Sequence, residues 1–387
     1  MRAGVRRTRN GFFKMSDGQV TASPPPPADE RLRQTTVMTK LLRRPELGAL
    51  AGLVLVTGFF LLVANPAMFS LAGVMNFMAP AAQLGILAIG AALLMVGGEF
   101  DLSVGSMVAF AGLAFGAVLV TWEMPLVIAI VATLAFAGGI GALNGQIVLR
   151  TGLPSFIVTL AFLFILRGLT LVGLKWATGG ATQLRGVKEA ADGSPVLEFF
   201  SGEAFEGLFA WLAANGYTDT FRNGLPKVTG VPVEILWFAA LALVATWILL
   251  RTKFGNWIFA AGGDANAARN SGVPVTRVKT ILFMATAMCA ALVAILTVLD
   301  AGSTDARRGF QKEFEAIIAA VIGGCLLTGG YGSAIGAFFG AIIFGMVLIG
   351  LTYTGIDQDW YLVFLGGMLL IAVLFNNFIR KRATGER

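Results

Sequence analysis

Apolar residues fall along this chain in long blocks separated by short polar joints. The blocks cover residues 47–64, 71–97, 104–121, 126–149, 154–174, 233–250, 280–300, 315–328, 334–352 and 361–379. A helix needs about 20 apolar residues to cross hydrocarbon at its 1.5 Å rise. Lipid offers no partner to an unbonded backbone group, and these runs lack the strict alternation of barrel strands. The pattern therefore predicts an all-α integral membrane protein of about ten transmembrane helices, some short or broken, within a transmembrane domain over 47–380. The run 315–328 is too short to cross as one straight helix and reads as broken or re-entrant. Pro80, Gly85 and Gly90 inside 71–97 allow a kink or a break there.

The polar joints set the topology. Residues 1–46 are polar, basic and interrupted by Pro24 to Pro27, with too little apolar surface to order themselves, so they predict a disordered cytoplasmic tail. Met15 and Met38 are alternative starts. The first apolar run follows basic residues but reaches Asn65 and Pro66 without a small-residue cleavage site, as an uncleaved anchor would. Ten Lys or Arg precede Leu47 and four follow Ile379, which places both termini, including the tail 381–387, in the cytoplasm. The joint 251–279 carries five Lys or Arg in 29 residues, whereas 175–232 carries five in 58, offset by six acids. The first is thus a cytoplasmic loop and the second a periplasmic insertion. Within that insertion Phe199, Phe200, Phe205, Leu208, Phe209, Trp211 and Leu212, with Glu198, Glu203 and Glu206, predict one short amphipathic helix at the outer interface.

Composition narrows the function. The chain is 56% hydrophobic and 13% charged, against about 25% charged in soluble domains. Its net charge of +7 sits in clusters flanking apolar spans, which excludes a nucleic-acid partner and marks a lipid bilayer. There is no His, and the two cysteines, Cys289 and Cys325, lie inside apolar runs. Serine–histidine catalysis and imidazole or thiolate metal sites are thereby excluded. No G-x-x-x-x-G-K-[ST] phosphate loop occurs, so the chain does not cradle ATP as a P-loop protein does. It reads as a transport subunit, not an enzyme, with energy drawn from a partner or an ion gradient.

Three joints carry distinctive residues. Gly97-Gly98-Glu99-Phe100-Asp101-Leu102-Ser103-Val104-Gly105-Ser106 combines turn-forming glycines with Asp101 and Ser103, either of which could cap the next helix. Thr328-Gly329-Gly330-Tyr331-Gly332-Ser333 lies on the same membrane side and again precedes a helix rich in small residues. Gly105, Gly112 and Gly116 in one helix and Gly336, Gly340 and Gly345 in the other read either as a weak internal repeat or as close-packing positions. In the cytoplasmic loop, Asp264 is a plausible N-cap for a helical turn or two over Ala265 to Asn270, stopped by Gly272 and Pro274. Such a helix is either a docking element or a solvated connector.

In this order, and with Asn144-Gly145 and Pro154-Ser155-Phe156-Ile157-Val158-Thr159-Leu160, these segments resemble the permease subunits of bacterial ATP-binding-cassette sugar importers, the ribose and xylose branch. The resemblance spans 69–175 and 251–380. It identifies Gly98, Glu99, Asp101, Ser103 and Gly105 with the family's signature stretch. It identifies Gly262, Asp264, Ala267, Arg269 and Gly272 with the coupling helix that docks on the ATPase subunit, and Gly329, Gly330 and Gly332 with the glycine-rich joint. It further implies an inner-membrane location, a cytoplasmic ATPase partner holding ATP and Mg, a periplasmic sugar-binding protein, and pairing with a second permease copy around a central pathway. The insertion 175–232 departs from the family pattern.

A neutral hydroxylated substrate calls for amides, hydroxyls and aromatic faces. Asn76, Gln83, Asn144 and Phe156 are the pathway candidates, with interhelical packing as the alternative for each. Importers of nucleosides and other small polar solutes share the architecture, so fold alone does not choose a pentose or hexose over them. A secondary transporter would use intramembrane acids. Asp300, Asp305, Glu313 and Glu315 instead lie near span ends, where solvated charges are expected.

Overall fold

Long apolar runs become long helices because only helical hydrogen bonding satisfies their backbone in lipid. The computed structural model describes residues 45–384 apart from residue 223. The tail expected at 1–46 lies outside these residues except for its last two, as do both alternative starts and residues 385–387 of the C-terminal tail. The long helices are α1 (Pro45–Val63), α2 (Leu71–Val96), α3 (Val104–Gly116, extended by a π turn over Ala117–Thr121), α4 (Leu126–Thr151) and α5 (Ser155–Thr178). The segment after α5 holds β1 (Gln183–Arg185), α6 (Val187–Ala191), β2 (Glu203–Ala204), α7 (Glu206–Ala214) and β3 (Val231–Pro232). Then come α8 (Val233–Arg251), α9 (Lys253–Gly263), α10 (Ala265–Asn270), α11 (Val275–Ala301), β4 (Ser303–Asp305), α12 (Lys312–Ile322), α13 (Ala334–Thr354) and α14 (Trp360–Thr384).

Among the described residues eight helices are long and apolar enough to cross a membrane, and α14 carries a shorter apolar stretch over Trp360–Ile371. The chain is an all-α, multi-pass membrane protein. The expected run 315–328 is the 11-residue α12 followed by a turn, too short to cross alone. Helix α2 contains Pro80 but runs unbroken from Leu71 to Val96.

The most buried spans are α2, α3, α11 and α13. They form the centre, with α11 along α2, α3 and α4, and α13 along α1, α2 and α12. Between lipid-soluble helices burial of apolar area gives little drive, so small residues that let backbones approach supply the packing. Gly336 and Gly340 lie against Gly323 and Ala319, and Gly112 and Gly116 lie against Thr304. Close packing therefore accounts for both glycine series.

The amphipathic helix of the insertion is only α7, with Phe209 buried and Leu208 and Trp211 exposed. Phe199 belongs to a 3-10 turn, and Glu203 and Ala204 pair with Pro232 and Val231. The insertion is fastened to the loop after α11 by antiparallel pairing of β1 with β4. In addition, Glu313 and Glu315 are not solvated: they are 4% and 9% exposed. The polar segment after α11 turns inward along α3, so α12 begins inside the bundle and its first-turn carboxylates are buried there.

Candidate functional site

The exposed loop between α8 and α11 is more structured than its composition implies. Thr252 caps α9 by accepting from Gly255 N at 3.1 Å, and Ile258 and Ala261 on one face of α9 are buried. Asp264 then caps α10, its Oδ1 accepting from Asn266 N at 2.9 Å and Ala267 N at 3.0 Å. Gly272 follows at φ +83°, a left-handed position that ends the segment. Ala267 and Arg269 are exposed, Ala268 is buried, and Arg269 donates to Asn266 Oδ1 at 3.0 Å. The result is a short, preformed helix offering a polar outer face, held to the bundle by α9.

Gly262, near the end of α9, joins this loop to both other joints. A Cβ there would overlap the Val96 carbonyl oxygen and lie 2.7 Å from Gly330 N. Gly330 N donates to that same Val96 oxygen at 2.9 Å. Gly98 and Gly329 adopt φ near +81° and pack on each other and on Gly262. A Cβ on Gly332 would lie 2.7 Å from Val96 and Cys325 side chains. Three stretches far apart in sequence thus meet backbone to backbone, at a junction only glycine can occupy.

Beside this junction Glu99 and Lys279 form an ion pair at 2.6 Å, their side chains 13% and 9% exposed. The pair ties the signature stretch to the first turns of α11. Beyond it the chain runs inward toward α3 with its amides individually satisfied. Phe100 N donates to Ser155 Oγ at 3.1 Å and Leu102 N to Thr159 Oγ1 at 3.0 Å. Asp101 Oδ1 accepts from Ser103 N at 2.8 Å and Ser103 Oγ at 2.5 Å. Asp101 therefore braces Ser103 at the start of α3 and does not cap the helix through a later amide. Burial raises the Asp101 carboxyl above its ordinary range, against the opposing effect of the Ser103 bonds. Gly105, one turn on, faces Gly309 and Glu313 of the inward-turning segment.

The four pathway candidates do not converge. Asn144 is fully buried and donates from Nδ2 to Ser103 Oγ at 3.1 Å, which makes it a fastener of the signature stretch. Gln83 donates to Glu234 Oε2 at 3.0 Å, and Asn76 to the Tyr353 hydroxyl at 3.3 Å. Phe156 is half exposed on the first turn of α5. Lys279, Ser155 and Thr159 also partner the signature, although none was a site candidate from sequence. A lone Lys at the start of an apolar run was the available signal for the first.

The model of the family described as branched-chain amino acid transport system, permease component, matches residues 73–373. The ribose import permease protein RbsC of Escherichia coli K12 is 31% identical over 314 residues, covering 81% of this chain and 88% of that protein. The xylose transport system permease protein XylH is 29% identical over 364 residues in Haemophilus influenzae, covering 86% of this chain and 96% of that protein. The Escherichia coli K12 XylH is 30% identical, covering 86% and 92%. No solved structure matches the chain significantly. With its helical, multi-pass architecture and these matches, the chain belongs to the permease-component family of the branched-chain amino acid transport system type.

Proposed function

We propose that this protein is the inner-membrane permease subunit of an ATP-driven importer that translocates a small sugar, a pentose or hexose, delivered by a periplasmic binding protein. The observation that carries the coupling part of this reading is the backbone contact of Gly262 with Val96, Gly98 and Gly330. Through it, a push on the exposed α10 reaches the signature stretch and the glycine-rich joint together, without a flexible side chain between. The sugar assignment rests on the resemblance to ribose and xylose permeases. The family description names a different solute, so the broader match alone does not decide the substrate.

In this mechanism a cytoplasmic ATPase subunit holds ATP and Mg and receives α10 in a groove. Closure of two ATPase subunits moves the coupling helices of two paired permease copies. Each α10 transmits that movement through Gly262 and the Glu99–Lys279 pair to α3 and α11, and the pathway changes the side to which it opens. Asn144, by holding Ser103, keeps the signature in register during this change, and the chain itself makes and breaks no covalent bond. The test is affinity purification of the tagged chain in mild detergent with mass spectrometry of stoichiometric companions. Recovery of a subunit with a phosphate-binding loop, lost on changing Arg269 and Gly272, supports the reading. Recovery of the chain alone, with gradient-driven uptake in liposomes lacking ATP, overturns it.

A further inference from the structure

The polar segment between α11 and α12 descends into the bundle instead of crossing its surface. Thr304 sits beside Gly112 and Gly116, whereas Gly309 and Glu313 sit beside Gly105. At 1.5 Å per residue along α3, that is a descent of about 10 Å. At the bottom Phe310 and Phe314 are 57% and 49% exposed, and Gln311 between them is exposed. Gln311 also has φ +63°, one of three non-glycine residues among those described with positive φ. Left-handed backbone at a residue with a long side chain is costly and persists where the surroundings impose it.

The setting of this face argues against lipid. Its neighbours are Lys312, paired with Glu315 at 2.6 Å, and Arg167 of α5, whose guanidinium lies 5.5 Å from the Phe310 ring centre. Arg167 also donates to the Arg308 carbonyl at 3.2 Å, so the ring is held from behind. Glu313 is 4% exposed and its Oε2 has no hydrogen-bond partner among the described residues. Charged and amide groups at membrane depth face a water-filled cavity or another protein surface, not acyl chains. Exposed aromatic rings and an exposed amide on one short stretch suit a ring that is apolar on its C–H face and hydroxylated at its edge.

We propose that Phe310, Gln311 and Phe314 form the sugar-contacting constriction of the translocation pathway, with Gln311 exchanging hydrogen bonds with hydroxyls and the two rings stacking on the sugar. This inference rests on the sugar-importer reading and locates its substrate contact. Behind the constriction Glu313 touches Gly105 of the signature stretch, so movement of the signature shifts the constriction directly.

The complete importer, with its ATPase and binding protein, is reconstituted in proteoliposomes and given radiolabelled ribose, xylose and glucose. Q311A and F314L each lower sugar moved per ATP hydrolysed at least tenfold, while F164L, on the exposed face of α5, stays within twofold of the unaltered protein. Unchanged ratios for Q311A and F314L overturn the inference, and failure of the unaltered importer to move any of the three sugars overturns the sugar reading beneath it. As a second readout, F314C is placed in a chain with Cys289 and Cys325 replaced by Ser. In the assembled importer it reacts with a membrane-impermeant maleimide, and the transported sugar slows the reaction at least threefold. Absence of reaction, as for a lipid-facing site, or oxidative cross-linking to the second copy's Cys at this position without sugar protection, overturns the constriction.

Discussion

Removing one member of the Glu99–Lys279 pair tests whether the signature stretch is held in place by a specific contact. The charges are 2.6 Å apart, and with side chains 13% and 9% exposed neither is freely hydrated. An ion pair this dry has given up much of its solvation, so the remaining charge after K279M lacks a counterion and regains little water. The expected cost is about 3–5 kcal/mol for either K279M or E99Q, far above the 1 kcal/mol or less of a surface pair. Replacing both should cost much less than the sum, because no unpaired charge then remains, and the coupling between the sites should be at least about 2 kcal/mol. The assay is denaturant unfolding in mixed micelles followed by tryptophan fluorescence for the four proteins of the cycle, with sugar uptake per ATP measured in parallel. The single variants should also lose most of this ratio, and K279M/E99Q should recover part of it. Additive effects of about 0.5 kcal/mol or less for each single change would refute the reasoning.

Other consequences follow from the same contacts. G262A forces a methyl group onto backbone atoms of Val96 and Gly330, which have no rotamer to relieve the overlap; a loss of at least about 1–3 kcal/mol is expected. G263A next to it meets nothing within 4 Å and should stay within about 0.5 kcal/mol of the unaltered protein in the same unfolding measurement. N144A removes a buried donor from Ser103 and should cost about 1–3 kcal/mol, with membrane expression and uptake falling together; loss of uptake at full expression would instead place Asn144 on the pathway. D264A strips two amides of their cap, for about 1 kcal/mol, and should weaken recovery of the ATPase subunit in pull-downs while leaving the unfolding of the membrane helices nearly unchanged.

The sequence made the spans legible because hydrocarbon thickness imposes a length that single residues cannot disguise. The N-cap at Asp264 and the stop at Gly272 were legible for a similar reason: both are local, set by backbone dihedrals and amides a few residues away. Helix α9 was overlooked although Ile258 and Ala261 share one face, since a charged loop does not advertise a short amphipathic helix. The inward course of residues 305–312 was not legible at all. A polar stretch at the end of a span ordinarily stays in water, and what draws this one inward is the glycine surface of α3, a property of another segment. The meeting of Gly98, Gly262 and Gly330 was hidden in the same way, because each joint alone looked like an ordinary turn and only tertiary packing puts their backbones in contact.

Movement of the exposed loop should reach the membrane pathway through the glycine junction. Simultaneous measurement of ATP hydrolysis and sugar uptake in proteoliposomes holding the complete importer, with either the native permease or G262A, tests this coupling most directly. Uptake in the native importer should depend on ATP, and G262A should move at least tenfold less sugar per ATP hydrolysed while still assembling with the ATPase. An unchanged ratio in G262A, or uptake that continues without ATP, would contradict it.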